Sequence, residues 1–229
     1  MFPTNRGNEF KRIQILNMFQ IKAFTFNPVQ ENTYLLYNEY KECIIIDPGC
    51  YFDSEKEELK SFINLNKFEP KILLNSHCHL DHVFGRKFIA HQYKITLKTH
   101  SLEKPILEMA PASGLMFNLP FDNYQGEVIY IEEGGKIFLR ADQLEVIHVP
   151  GHSPGSICFY CEKQHFIIGG DVLFQNSIGR TDLPFGNQDD LLRNIRGKLF
   201  ILPDDVIVYP GHGPSTTIGA EKKENPYLK

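Results

Sequence analysis

The chain has 229 residues, of which 42% are hydrophobic, 23% are charged and 12% are aromatic, and its formal net charge is −4. This length can bury a full core, and the composition excludes a disordered or fibrous protein. The acidic balance argues against nucleic acid as a partner, because phosphate binding needs clustered Lys and Arg. No apolar run approaches the roughly 18 residues that cross a bilayer, and the start is too polar for a secretory signal, so we predict a cytoplasmic protein with no membrane partner.

The first part of the chain is predicted to be a run of strands followed by one helix. β-Branched and aromatic residues separated by polar turns predict strands at 19–26, 32–38 and 42–47. The amphipathic spacing of 53–67 predicts a helix, and the apolar stretch 71–77 predicts a buried strand after it. Strands that share a chain with such helices pack in layers, so the fold class is α/β or α+β.

The remaining chain repeats this mixture of elements. The patterns predict helices at 83–93, 101–110 and 188–200, and strands within 128–148, within 156–171 and at 205–212. We predict a single domain over 18–229, preceded by a flexible extension at 1–17, because Met18 is a plausible true start. Three of the predicted strands end in "NSH", "GGD" and "PGH". Loops at strand ends converge on one edge of layered α/β proteins, so these polar tips are expected to meet.

The stretch "NSHCHLDHVFG" at 75–85 concentrates metal-ligating side chains. His77 and His79 are separated by one residue and can hold one ion, because neutral imidazole is a preferred zinc ligand. Asp81 and His82 follow directly and are placed to hold a second ion beside the first. A polar loop that caps a helix is the alternative for this stretch, but four candidate ligands within six positions favour a metal site.

Three later stretches supply the ligands that this cluster lacks. His152 lies in the Gly- and Pro-rich turn "VPGHSPGS", Asp171 ends "GGD", and His212 lies in "YPGHGP". The predicted first ion is held by His77, His79 and His152, and the second by Asp81, His82 and His212. Asp171 is predicted to bridge the two, which completes a dinuclear hydrolase site. We predict Asp81 and Asp171 as the catalytic residues.

The ordered set HCHLDH, GHSPGS, GGD and PGHG resembles the metallo-β-lactamase fold superfamily, and the likeness extends from about Met18 to the end of the chain. Within it, "NPVQENTYLL", "IGRTDLP" and the ending "GHGPSTTIGAEKKENPYL" are similar to single-domain glyoxalase II (hydroxyacylglutathione hydrolase)-like enzymes. This resemblance implies a four-layer αββα sandwich with the metals at one edge of the sheets. Arg180 and Thr181 would flank the site and contact substrate, although an Arg180–Asp182 network that supports the loop is an equal alternative.

The reaction implied by this resemblance is hydrolysis of a small-molecule thioester or related ester by a hydroxide that bridges two metal ions. A thioester suits such a site because a thiolate leaves without a strong general acid. Full-length glyoxalase II carries a helical C-terminal region that helps to bind glutathione, whereas only 17 residues follow His212 here. Glutathione as the carrier therefore does not follow from the motifs.

A mononuclear iron persulfide dioxygenase of the same fold is the main alternative function, although the intact Asp81, His82 and His212 argue against it. An RNA-processing nuclease is disfavoured by the acidic charge, and a true β-lactamase by the polar start. The ligands suit zinc, with iron or manganese as alternatives. The sequence leaves the oligomeric state open.

Two further features near the predicted ligands have structural interpretations. Asp47 in "DPG" either orients a ligand histidine or forms a turn. The pair Cys158 and Cys161 spells CxxC, but residues three apart on a strand point to opposite faces, which argues against a metal or redox pair. Cys78 lies between two ligands, so its side chain is expected to point away from them and to be structural.

Overall fold

A computed structural model describes residues 18–229, and the predicted extension at 1–17 lies outside the described residues. Within this range the chain forms fourteen strands and six α-helices. The strands are β1 Gln20–Phe26, β2 Glu31–Tyr37, β3 Glu42–Ile46, β4 Glu69–Leu74, β5 Leu97–Thr99, β6 Val128–Tyr130, β7 Lys136–Leu139, β8 Asp142–His148, β9 Ile157–Cys161, β10 Phe166–Gly170, β11 Leu173–Phe174, β12 Ser177–Ile178, β13 Ile207–Pro210 and β14 Thr216–Thr217. The helices are α1 Asp53–Leu65, α2 Leu80–Val83, α3 Arg86–Tyr93, α4 Lys104–Met116, α5 Gln188–Asn194 and α6 Ile218–Glu224.

Twelve of these strands form two six-stranded mixed sheets. The first has the order β1-β2-β3-β4-β5-β6, in which β1 to β3 are antiparallel and β3 to β6 are parallel. The second has the order β14-β13-β10-β9-β8-β7, and only its β10–β13 pair is parallel. Strands β11 and β12 form a separate two-stranded hairpin. Because β4 is parallel to β3, the loops after these two strands leave the first sheet at one edge. In the same way, the loops after the parallel strands β10 and β13 leave the second sheet at one edge.

The two sheets pack face to face, and helices cover both outer faces. Along β2, Tyr34 and Leu36 point into the core between the sheets, whereas Leu35 points out towards the helices. Helix α1 covers that outer face with Leu59 and Ile63. The outer face of the second sheet is covered by apolar residues of α5, α6 and the π-helical turn Ile195–Leu199. This four-layer αββα arrangement confirms the predicted fold class, and it explains why the central strands are apolar on both faces.

Several predicted elements differ in their bounds. The predicted helix 83–93 is two helices, α2 and α3, separated at Phe84 and Gly85. The chain packs tightly there, because a Cβ on Gly85 would lie 2.2 Å from Cys50 Sγ. The predicted helix 101–110 begins as a 3-10 turn, Ser101–Glu103, and continues as α4 to Met116. Among residues 18–229, no helix combines the length and apolarity that a membrane span requires.

Candidate metal centre

The first predicted ligand group consists of His77, His79 and His152, here called the first triad. His77 and His79 lie in the loop between β4 and α2, and His152 lies in the loop between β8 and β9. The Nε2 atom of His152 is 3.2 Å from His77 Nε2 and 2.8 Å from His79 Nδ1. Three ring nitrogens from two loops therefore converge on one point, although the loops are about 75 residues apart in sequence.

The second predicted group consists of Asp81, His82 and His212, here called the second triad. Asp81 and His82 belong to α2, and His212 follows β13. The Oδ2 atom of Asp81 is 3.0 Å from His212 Nε2 and 3.6 Å from His82 Nε2. As in the first triad, the candidate ligand atoms of this group all lie within 4.8 Å of one another.

Asp171, at the end of β10, lies between the two triads. Its Oδ2 atom is 3.7 Å from His152 Nε2 of the first triad and 3.5 Å from His212 Nε2 of the second. Its Oδ1 atom is 3.3 Å from His82 Nε2. The carboxylate is thus within reach of both groups at once, which is the position that the sequence predicted for a bridging ligand. All seven predicted ligands meet at one edge of the sandwich.

The donor set and its unpaired atoms fit two divalent cations. Asp171 Oδ1 and both ring nitrogens of His82 are buried without a hydrogen-bond partner among residues 18–229. Buried polar atoms are rarely left unpaired unless an ion or water satisfies them. Five imidazoles and two carboxylates are ligands that zinc, iron and manganese accept. Gly211 keeps this space open, because a Cβ there would lie 2.1 Å from Asp171 Oδ1.

Burial and neighbouring charges shift the pKa values of several candidate ligands. Burial, followed by the neighbouring His82, lowers the pKa of His77, and burial together with His152 lowers the pKa of His79 to about 3. Both rings are therefore neutral near pH 7, as ligation requires. Burial opposes ionisation of Asp171, but His82, His152 and His212 together outweigh it and hold the pKa of this carboxyl well below its usual range. Burial likewise opposes protonation of His82, yet the neighbouring carboxylates of Asp171 and Asp81 raise its pKa.

Asp47 orients the two most buried histidines of the site. Its Oδ2 atom accepts a hydrogen bond from Ser76 Oγ at 2.5 Å and lies 3.2 Å from His82 Nδ1. Ser76 Oγ is in turn 3.0 Å from His77 Nδ1. Asp47 therefore contacts the ring nitrogen of His82 that faces away from the second triad, and it reaches His77 through the serine. Of the two roles that the sequence left open for Asp47, the structure supports orientation, and the residue also takes a turn conformation with φ 50°.

The other ligand histidines are held through backbone carbonyls. His152 Nδ1 donates to the carbonyl of Arg180 at 2.7 Å, and His212 Nδ1 donates to the carbonyl of Val29 at 3.1 Å. The turn that carries His212 is fixed by Asn32, whose Nδ2 donates to the carbonyls of Pro210 and Gly213. Sequence reasoning missed Ser76 and Asn32 as supports of the site. Both residues could have been found from "NSH" and "NPVQENTYLL", because a polar residue adjacent to a buried strand is a candidate for supporting a nearby ligand.

The two predicted substrate-binding residues lie in the loop that follows β12. The guanidinium of Arg180 is exposed and forms a bidentate ion pair with Asp182, with both N–O distances at 2.7 Å. This pair is the network that the sequence offered as the alternative role for Arg180. The Arg180 carbonyl holds His152, so the loop is tied to the first triad whether or not the side chain contacts substrate. Thr181 is half-buried in the same loop.

The cysteines do not form a second metal or redox site among the described residues. All five are free and buried. Cys158 packs under the helices of the second sheet, whereas Cys161 packs between the sheets, so the strand geometry predicted for this CxxC pair is confirmed. The Cys78 sulfur lies 3.9 Å from Thr99 Oγ1 and 3.8 Å from Arg86 Nη1, in the interior beside the metal loop.

Comparison with known proteins places this site in a family. A model of the metallo-beta-lactamase superfamily matches residues 26–212, a range that contains all seven predicted ligands. The chain belongs to the metallo-beta-lactamase superfamily. The resemblance predicted from the motifs is therefore confirmed. The coarse function that follows is that of a metallo-hydrolase superfamily whose fold binds divalent metals, and the His/Asp clusters of this chain supply ligands of that kind.

Three superfamily members show how the likeness extends over the whole described fold. Hydroxyacylglutathione hydrolase GloC from Haemophilus influenzae is 37% identical over 210 residues, which cover 91% of this chain and 97% of that protein. The crystal structure of BLEG-1 B3 metallo-beta-lactamase is 36% identical with a TM-score of 0.84, and the match covers 92% of this chain and 100% of that one. The crystal structure of TTHA1623 in a di-iron-bound form is 33% identical with a TM-score of 0.83, covering 90% and 100% of the two chains.

Proposed function

We propose that this protein is a dinuclear metal-dependent thioesterase that hydrolyses S-acylglutathione-type thioesters. The observation that carries the proposal is the position of Asp171, whose two oxygens lie 3.3 to 3.7 Å from ligand nitrogens of both triads. A mononuclear site would need only one triad, whereas here two complete triads share one carboxylate. The similarity to hydroxyacylglutathione hydrolase GloC supports a thioester of glutathione as the substrate class.

The first triad would hold one ion, the second triad would hold the other, and Asp171 would contact both. Divalent ions bound there supply a water of lowered pKa and polarise a carbonyl oxygen. Zinc fits the donor set, and iron is a further candidate because TTHA1623 has been crystallised in a di-iron-bound form. We expect the ligand identity, rather than affinity alone, to set which metal is taken up.

The ligand side chains differ in their exposure to solvent. His77, His82 and His152 are buried, whereas the carboxylates of Asp81 and Asp171 retain 15% and 12% exposure, so a substrate can approach them. At this opening the two carboxylates can accept a hydrogen bond from the attacking water and orient it. Hydrolysis forms a C–O bond to the carbonyl carbon and breaks the C–S bond. The proton lost by the water balances the departing thiolate, whose low basicity removes the need for a strong general acid.

We place the substrate next to the loop that contains Arg180 and Thr181. This loop contacts the first triad through the hydrogen bond between the Arg180 carbonyl and His152 Nδ1. The exposed guanidinium can attract a carboxylate of the substrate, and Thr181 offers a hydroxyl nearby. These two residues are proposed to bind substrate rather than to act on the reacting bond.

A β-lactam amide is a second candidate substrate, because BLEG-1, described as a B3 metallo-beta-lactamase, is 36% identical over its whole length. An amide leaves as a poorer group than a thiolate, so the two substrate classes make different demands on the site. Direct comparison of rates on a lactoyl thioester of glutathione and on a chromogenic cephalosporin separates them.

The test is elemental analysis of the purified protein together with three assays: thioester hydrolysis, cephalosporin hydrolysis and oxygen uptake on glutathione persulfide. We expect two metal ions per chain and fast thioester cleavage. His212→Asn should lose one ion and most of the activity, whereas His165→Asn, a change at an exposed histidine paired with Asp205, should keep both. One iron per chain with oxygen uptake would refute the hydrolase and favour the persulfide dioxygenase. Two ions with faster cephalosporin cleavage would replace the thioester by a β-lactam.

A further inference from the structure

Glu103 is a fully buried carboxylate that belongs to neither triad. It ends the 3-10 turn Ser101–Glu103 between β5 and α4, and none of its surface is exposed. Burial of a carboxylate is strongly unfavourable unless hydrogen bonds compensate it. Glu103 accepts three such bonds, and all three donors belong to the two loops that carry the first triad.

One carboxylate oxygen holds the first of these loops. Glu103 Oε2 accepts from the backbone N–H of Cys78 at 2.7 Å. Cys78 lies between His77 and His79, so this bond fixes the peptide that separates two ligands of the same ion. This peptide joins His77 to Cys78, and His79 is the next residue, so a displacement of the peptide would shift the backbone that carries both imidazoles.

The other oxygen holds the second loop. Glu103 Oε1 accepts from the hydroxyl of Ser153 and, at 2.7 Å, from the backbone N–H of Gly155. Ser153 directly follows His152, the third ligand of the first triad. Gly155 allows the carboxylate to approach, because a Cβ there would lie 2.8 Å from Glu103 Cγ. One side chain thus joins two loops that are distant in sequence.

The backbone on either side of Glu103 is itself fixed. His100 Nδ1 accepts from Leu102 N–H at 3.2 Å, and the carbonyl of His100 accepts from Glu103 N–H at 3.0 Å. These bonds cap the turn, so the carboxylate is presented from a defined position. The second triad is held by other residues: Asp47 contacts His82, and the Val29 carbonyl accepts from His212. Among residues 18–229, Glu103 has no hydrogen bond to that triad.

We propose that Glu103 is the positioning residue of the first triad, and that it sets the affinity of the ion held by His77, His79 and His152 without affecting the second ion. This inference rests on the proposed dinuclear site. A carboxylate that only stabilised the fold would affect both ions equally. A selective effect on one ion is therefore the property that distinguishes positioning from general stability.

The test compares Glu103→Gln with the parent in two backgrounds, each with one triad disabled. Glutamine keeps the size of the side chain but replaces one acceptor oxygen by an N–H donor, so at least one loop loses its bond. In the His212→Asn background the remaining ion lies in the first triad, and Glu103→Gln should weaken its binding by about 10- to 100-fold. In the His79→Asn background the remaining ion lies in the second triad, and its affinity should be unchanged. Zinc affinity is measured by competition with a chromophoric chelator.

Glu108→Gln is the matched control, because Glu108 is an exposed residue of α4 that pairs only loosely with Lys104 at 4.0 Å. It should leave both zinc affinities unchanged. Where Glu103→Gln does not fold, Ser153→Ala replaces it: it removes one of the three bonds and should weaken the first ion by about tenfold.

The outcomes separate this inference from the proposed function. A parent protein that binds no zinc refutes the dinuclear site itself. A parent that binds two ions, with Glu103→Gln and Ser153→Ala binding the first ion as tightly as the parent, refutes only the role of Glu103. Equal weakening of both ions in the two backgrounds also overturns it, because this result indicates a general effect on folding.

Discussion

Replacement of Asp47 by asparagine should weaken both metal ions, because the carboxylate controls which nitrogen of two histidines carries a proton. Asp47 Oδ1 accepts from Ser76 N–H at 2.7 Å and from Asn75 Nδ2 at 3.1 Å. Oδ2 accepts from Ser76 Oγ and faces His82 Nδ1. An acceptor at this position favours a proton on His82 Nδ1, which leaves Nε2 free to bind an ion in the second triad.

In Asp47→Asn the amide oxygen is expected to keep the Oδ1 position, since a backbone N–H and an amide donate to it. The new NH₂ then faces His82 Nδ1 and Ser76 Oγ as a donor. It favours a proton on His82 Nε2, where a ligand lone pair is required. Ser76 Oγ would also turn its hydrogen towards His77 Nδ1, 3.0 Å away, and invert the tautomer of that ring as well.

The expected loss can be estimated from comparable supports of metal-ligating histidines, which change metal affinity by about 10- to 100-fold. This range corresponds to about 1.4 to 2.7 kcal/mol for each ion. Loss of a charged acceptor from buried donors should also reduce the free energy of unfolding by about 1.5 to 3 kcal/mol. Both quantities are accessible, the first by chelator competition and the second by urea unfolding of the metal-free protein.

Asp205→Asn provides the control, because Asp205 is exposed and its carboxylate pairs with the surface His165. If Asp47→Asn binds both ions with the parent affinity, Asp47 does not control the tautomers of His82 and His77. If only the ion of the second triad is weakened, the connection through Ser76 to His77 is wrong, while the direct contact with His82 stands.

Three further predictions concern Gly211, the ion pair between Arg180 and Asp182, and the buried thiols. Gly211→Ala should reduce kcat/KM at least about tenfold, because the Cβ of the alanine would displace the carboxylate of Asp171. Unchanged activity would show that the backbone at residue 211 can move to make room for this Cβ. Arg180→Ala should raise KM with little change in kcat. Asp182→Asn, which releases the guanidinium of Arg180, should not raise KM. A fall in kcat for both variants would instead show that the ion pair supports the loop. The thiols should react with a disulfide reagent at pH 8 only after unfolding, because burial raises the pKa of Cys78 to about 12 and the other four are also buried; rapid labelling of the native protein would contradict this.

The ligand set could be predicted from the sequence because its members lie in short motifs that follow apolar strands. His77, Asp171 and His212 follow β4, β10 and β13, and the position of a buried strand is the part of a fold that hydrophobic pattern indicates best. Strand periodicity also predicted the opposite orientations of Cys158 and Cys161. The bounds of helices were less predictable, since the break at Gly85 lies where the chain packs closely against Cys50, a residue from another loop.

The supporting residues could not be predicted in the same way. Glu103 stands in "SLEKPILEMA", where a charged residue in a helical pattern is normally exposed. Its burial depends on two loops that begin about 25 and 50 residues away and that meet it only in the folded chain. Asp47 had a turn sequence that fits both of its roles. Local pattern therefore indicates which residues bind an ion, but the residues that orient them are set by tertiary packing.

The buried carboxylates of Asp47 and Glu103 hold the ligand loops from the interior, whereas the exposed side chain of Arg180 belongs to the loop that we propose to contact substrate. Substitutions in that loop can alter what approaches the ions without moving the histidines, apart from the one backbone carbonyl that holds His152. Side-chain changes at Arg180 should therefore alter KM and substrate preference, and changes at Asp47 or Glu103 should alter metal affinity.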